Sequence, residues 1–176
     1  MNFDFVPWGN AYYNTKKCHT DGFDKENGMF CWVEQCGGSS PDPDCFNAPV
    51  LCQHGQAECD ADTLEACVIH AYPKATSYVP FLYCFEGIGG AAANKGEGCA
   101  RKAGLDWDTI QSCATNKTLT ASLDASNAKR TAQLGKSKEG TPWIMVNGKH
   151  LEDPDKLLNA VCSEYKGTKP AGCTGA

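Results

Sequence analysis

Apolar positions in this chain follow two rhythms, separated by a long stretch that follows neither. Phe3-Asp4-Phe5-Val6 alternates apolar and polar, which predicts a strand that Pro7 and Gly9-Asn10 end. Residues 14–50 show no period. They are polar, rich in Gly, Pro, Asp and Asn, and carry Cys18, Cys31, Cys36 and Cys45. The composition predicts a cysteine-rich loop held by cross-links because it cannot pack by burial, and loops of that length are uncommon unless constrained or functional.

From Asp62 the period becomes helical. Leu64, Cys67, Val68 and Ala71 fall at i, i+3, i+4 and i+7. Asp62 fits an N-cap with Glu65 as its capping-box partner, and Pro73 ends the helix. Thr76–Phe85 is aromatic and apolar, and Pro80 either kinks a helix there or starts one. Gly87–Gly98 reads as a flexible link. A short helix over Cys99–Ala103 stops at Gly104, and Asp106 or Asp108 caps another over Ile110 and Cys113. Thr118–Leu134 forms a longer helix with Gly135 as its stop. Trp143–Val146 is a strand, Asn147-Gly148 a two-residue hairpin turn, and Lys149–Leu151 the partner strand. Asp153-Pro154 then caps a helix that buries Leu157, Leu158, Val161 and Cys162 and closes at Gly167.

A length of 176 residues fits one domain over 1–176 with room for a core. Net charge is −5 and no basic stripe is present, which argues against a nucleic-acid partner. The apolar runs fall far short of a membrane span. Twelve cysteines change the picture. Reducing compartments do not keep disulfides, so this count points to the secretory or endosomal route. Asn116-Lys117-Thr118 is a glycosylation sequon in that setting. Met1–Ala11 shows no signal-peptide pattern.

Cys52-Gln-His-Gly-Gln-Ala-Glu-Cys59, continuing to Asp62 and Cys67, is the densest block of chemistry. Cys52, Gln53, His54, Gly55, Glu58, Cys59 and Cys67 fall on the signature of the gamma-interferon-inducible lysosomal thiol reductase family, and Asp62 stands where that family usually has Asn. The likeness extends outward. Val6-Pro7-Trp8-Gly9-Asn10-Ala11 resembles the family's Val-Pro-Tyr-Gly-Asn-Ala strand end. Asn127-Ala128 and Arg130-Thr131 resemble Asn-Ala-x-Arg-Thr. Pro142-Trp143, Val146–Lys149, Leu151–Asp153, Leu157-Leu158, Cys162, and a tail with Lys169-Pro170 and Cys173 follow in family order.

The resemblance implies a thioredoxin-like α/β fold with a helical insertion over 60–135 and a hairpin and C-terminal helix over 141–166. It implies a cis Pro142, with Thr141, Pro142 and Trp143 at a substrate-docking strand edge. It also implies reduction of disulfide-bonded protein substrates in lysosomes, endosomes or a secretory compartment, without a cofactor. The family's chemistry needs a Cys-x-x-Cys pair at a helix N-terminus, and this chain has none. The sequence therefore predicts a chain that lacks the first strand and redox helix, as a truncated form would, and is inactive alone. The alternative is a non-catalytic, disulfide-stapled secreted paralogue that binds peptides or proteins.

No cysteine fills the nucleophile role cleanly. Cys59, just before a helix, is a thiolate candidate, but a disulfide partner is the plainer reading. Cys31 and Cys36 bracket a short loop as either an unusual redox pair or a structural bridge. All twelve cysteines (Cys18, Cys31, Cys36, Cys45, Cys52, Cys59, Cys67, Cys84, Cys99, Cys113, Cys162 and Cys173) are disulfide candidates. Twelve allow about ten thousand complete pairings, so connectivity stays open. Zinc is disfavoured, because Cys52-x-His54 is tighter than a zinc knuckle. Trp143, Tyr78, Phe81, Tyr83 and Phe85 are core or groove aromatics.

Overall fold

Two antiparallel pairings, Tyr12 with Leu51 and Tyr13 with Val50, tie the start of the chain to the end of the cysteine-rich segment. The computed structural model describes residues 2–88 and 95–173. It divides into two units, Asn2–Ser137 and Lys138–Ala176. The described residues form a mixed α/β chain dominated by helix, with two two-stranded sheets.

In the first unit, β1 (Tyr12–Tyr13) pairs with β2 (Val50–Leu51). The strand expected over Phe3–Val6 does not form. That stretch is instead fixed by its side: Tyr78 Oη donates to the Phe3 carbonyl at 2.9 Å, and the two rings lie 6.1 Å apart. Alternation over four residues is too short to demand a ladder when an aromatic helix offers another way to cover Phe5.

Residues 14–50 are not an open loop. Asp24 caps a wide helical turn over Lys25–Met29, accepting from Asn27 N at 2.8 Å. The turn runs into α1 (Phe30–Cys36), and a second short turn covers Pro43–Phe46. Trp32 of α1 is fully buried, and its Nε1 donates to the Cys45 carbonyl at 3.0 Å. Trp8, Tyr13 and Phe46 surround it with ring centroids each 6.3 Å away. Disulfides Cys18–Cys31 and Cys36–Cys45 close the segment. It therefore packs by burial and is cross-linked as well. Polar composition hid a helix whose inward residues, Trp32, Val33 and Cys36, span barely more than one turn.

Gly37 follows α1 where no side chain fits, because a Cβ there would stand 2.5 Å from the Ala132 carbonyl oxygen. That carbonyl belongs to α6 (Lys117–Ala132), whose Ala128 and Ala132 are buried in the Trp32 core.

A second core is built by α2 (Gln56–Ala71), α3 (Ala75–Gly87), α4 (Gly96–Lys102) and α5 (Trp107–Thr115). Leu64, Cys67 and Val68 meet Phe81, Phe85 and Ile110 there, with Phe81 and Phe85 stacked at 5.3 Å. Cys67–Cys113 joins α2 to α5, and Cys84–Cys99 joins α3 to α4. Pro80 lies inside α3 rather than at its start. Asp106, not Asp108, caps α5, accepting from Thr109 N at 3.1 Å. Asn116 caps α6, accepting from Leu119 N at 3.1 Å. The middle of the expected Gly87–Gly98 link lies outside the described residues.

In the second unit, β3 (Ile144–Val146) and β4 (Lys149–Leu151) form the hairpin. Asn147 and Gly148 both take positive φ, +48° and +80°, as this tight turn requires. Asp153 caps a short turn, Pro154–Lys156, that leads into α7 (Leu157–Glu164). Cys162 is buried and bonded to Cys173, but Leu158, expected on the buried face, is 54% exposed.

Candidate functional site

The signature block is the joint between β2 and α2. Gln53 accepts from Asn10 Nδ2 at 2.8 Å, which fixes the turn to the Trp8–Asn10 segment. Gly55 takes φ +88° and ψ −167°, a conformation that only glycine adopts without strain, and is the N-cap of α2. The expected N-cap, Asp62, is therefore corrected: the cap of α2 lies seven residues earlier, and Asp62 sits within its second turn. The reciprocal capping role falls to Glu58, whose Oε2 accepts from His54 N at 2.6 Å and lies 3.3 Å from His54 Nδ1. Capping boxes usually begin with Ser or Thr; a glycine at that place conceals the start.

Cys52 and Cys59 bond to each other across this joint. Cys59 is thus a disulfide partner and not a free thiolate. Cys31 and Cys36 do not form a pair, since each is bonded elsewhere. Every one of the twelve cysteines is in a disulfide. Among the described residues no group of three or more His, Cys, Asp or Glu side chains is placed to hold a metal ion.

The Asn127–Arg130 motif of α6 meets the N-terminal segment. Asn127 Nδ2 donates to the Pro7 carbonyl at 3.3 Å, Arg130 pairs with Asp4, and Ala128 packs in the core that holds Trp8. Tyr78, Phe81 and Phe85 are core, whereas Tyr83 is 85% exposed. In the second unit the Thr141–Pro142 bond is cis. Trp143 stacks on His150, with centroids 3.5 Å apart and planes 7° off parallel, and its Nε1 is buried without a partner.

One group of side chains goes beyond the sequence reading. Glu65 is only 2% exposed, and its Oε1 has no hydrogen-bond partner. Burial raises its pKa to about 10, helped by a hydrogen bond with the Glu86 carboxyl and by the charges of Glu86 and Asp62. Asp62 rises to about 7 through burial and then the charges of Glu58, Glu86 and Asp124. Asp124 rises to about 6 through burial. The signal was present, because Ala61, Leu64, Glu65 and Val68 share one helical face and the acid occupies a core position.

Comparison with known proteins names the lineage. Residues 34–103, which run from the last turn of α1 through the signature joint and on to the end of α4, match the family described as Gamma interferon inducible lysosomal thiol reductase (GILT). A gamma-interferon-inducible lysosomal thiol reductase of Carassius auratus is 35% identical over 149 residues, covering 78% of this chain and 56% of the relative. This chain belongs to the GILT family.

A gamma-interferon-responsive lysosomal thiol protein of Arabidopsis thaliana is 34% identical over 137 residues, 74% of this chain and 56% of that protein. The Mus musculus thiol reductase is 35% identical over 126 residues, 70% and 50%. The chain thus spans about half the length of the curated GILT relatives it matches. Among the described residues no helix is long and apolar enough to cross a membrane.

Proposed function

We propose that these 176 residues are the scaffold and docking edge of a thiol–disulfide oxidoreductase acting on protein disulfides in an acidic or secretory compartment. The GILT match across the signature joint carries this reading. In this reading the chain is one thioredoxin-like domain, Thr141, Pro142 and Trp143 receive extended substrate backbone, and the Asn116-Lys117-Thr118 sequon carries a glycan on the exposed Asn116.

Reduction needs two thiols. A thiolate attacks one sulfur of the substrate disulfide, forming a mixed disulfide and releasing the other sulfur as thiolate. A second thiolate then attacks the mixed disulfide, leaving an enzyme disulfide and passing two electrons to the substrate. With all twelve cysteines already bonded, this chain holds no such dithiol. A Cys-x-x-Cys pair, with the first strand and redox helix of that fold, would have to come from outside these residues, and the chain alone is inactive. The full pairing also supports a second reading, a disulfide-stapled binding paralogue that turns nothing over.

The test is an insulin-reduction assay at pH 5 with dithiothreitol as electron donor. The chain alone should add nothing to the dithiothreitol rate, and alkylation of the native protein should label no thiol. A fusion that supplies a strand, a Cys-x-x-Cys pair and a helix ahead of Met1 should turn over. Activity of the chain alone would overturn the proposal, and a folded but inert fusion would favour the binding paralogue.

A further inference from the structure

Three helices of the first unit bring carboxyls together: Asp62 feels the charges of Glu86 and Asp124, and Glu65 shares a hydrogen bond with the exposed Glu86. Asp62 and Glu65 lie one turn apart on α2, Glu86 ends α3, and Asp124 comes from α6, which packs against α2 as α3 does. Two oxygens, Asp62 Oδ2 and Glu65 Oε1, are buried with no hydrogen-bond partner. A buried carboxylate without a counter-charge is costly, whereas a buried carboxylic acid is tolerated.

Among the described residues of α2, α3, α5, α6, β1 and β2, no cation is seen paired with the cluster. On α2 itself, Glu58 adds negative charge and is engaged with His54, while Asp60 and His70 are exposed. From α3 comes the exposed Glu86; Tyr83 and, just before the helix, Lys74 are exposed as well, and Tyr78 Oη donates to the Phe3 carbonyl. From α6 comes Asp124; its Lys117 and Lys129 are exposed, and Arg130 is paired with Asp4. The only ionisable side chain of α5 is the exposed Asp108. From β1 comes Tyr13, whose phenol is pushed up by burial and by Asp124. β2 carries no ionisable side chain.

We infer that the carboxyls of Asp62, Glu65 and Asp124, with the Glu86 carboxyl beside them, form a pH-sensitive clasp: with those three protonated, α2, α3 and α6 close on one another, and with them ionised, like charges push the helices apart. The clasp stands on the side chains alone and does not depend on the oxidoreductase reading.

The sign follows from linkage. Asp62, Glu65 and Asp124 have pKa values raised in the folded chain, so the folded state binds more protons than the unfolded one. Its advantage is complete below the ordinary carboxylate range and is lost as pH rises, through about 6 for Asp124 and about 7 for Asp62. Asp24, Glu34 and Asp106 act oppositely. Hydrogen bonds from Asn27, Lys136 and Thr109, respectively, lower their pKa values, so their contribution is present above the ordinary range and fades in stronger acid. The fold should therefore be most stable in mild acid.

The experiment is thermal unfolding of the full chain by circular dichroism at pH 5 and pH 8. We compare the wild type with Asp62→Asn, Glu65→Gln and Asp124→Asn, using the exposed Asp60→Asn as control. The wild-type Tm should fall by at least about 5 °C from pH 5 to pH 8, since a tenfold loss in folding equilibrium moves Tm by roughly 3–6 °C at this size. Asp62→Asn keeps the shape without the charge, and should narrow the fall by at least about 3 °C and raise Tm at pH 8. Asp60→Asn should leave the fall unchanged. If one cluster variant does not unfold cooperatively, the other two read the same slope. A wild-type Tm equal or higher at pH 8, or the same fall in every foldable cluster variant, would overturn the clasp.

Discussion

The two cores of the first unit are built on opposite plans. Around Trp32, short irregular pieces meet: two residues of β1, two of β2, seven of α1, and turns stitched by Cys18–Cys31 and Cys36–Cys45. Around Phe81, four helices pack with regular spacing, and the disulfides join neighbouring helices. The first core is aromatic and fits together by shape; the second is aliphatic and aromatic in helical register. Burial per residue is similar at their centres, with both Trp32 and Phe81 fully enclosed. Regular secondary structure is thus not a measure of how much a segment contributes to stability.

The hardest test of that equality is truncation at the two centres. Trp32→Ala and Phe81→Ala should each cost about 3–5 kcal/mol in chemical denaturation of the oxidised chain. If residues 14–50 were a stapled loop, Trp32→Ala would cost less than about 1 kcal/mol while Phe81→Ala kept its full effect.

The staples themselves should differ. Cys67–Cys113 closes a separation of 46 residues and Cys36–Cys45 one of 9. On chain-entropy grounds, replacing the first pair by alanine costs about 4 kcal/mol and the second about 2.5 kcal/mol. Equal losses would mean that local packing, not loop closure, dominates both. Gly37→Ala should cost about 1–3 kcal/mol, because the added carbon meets backbone, the Ala132 carbonyl, rather than a side chain that can rotate away. A neutral result would show that α1 and α6 can slide apart freely. Smallest is Asn116→Ala, about 1 kcal/mol, from loss of the bond to Leu119 N. Asn116→Ser restores a capping oxygen and should recover most of it, and neither variant carries the sequon.

The part of the molecule legible in the chain is the part whose pattern is local. The faces of α2 and α5, the Asn147-Gly148 turn and the Asp153-Pro154 start each follow from residues within a few positions of one another. A few neighbours suffice to set a period or a positive φ. The GILT signature was legible for the same reason, being one contiguous block.

What only the tertiary structure decided needed partners far along the chain. Tyr12 and Tyr13 became a strand because Val50 and Leu51 lay opposite. Residues 14–50 became a core because Trp8, Trp32 and Phe46 met across them. Asp62 lost the cap to Gly55 and instead met the charges of Glu86 and Asp124 from other helices. Sequence sets what each residue prefers on its own; burial and electrostatics depend on which distant residues share its surroundings, and only the folded chain brings those together.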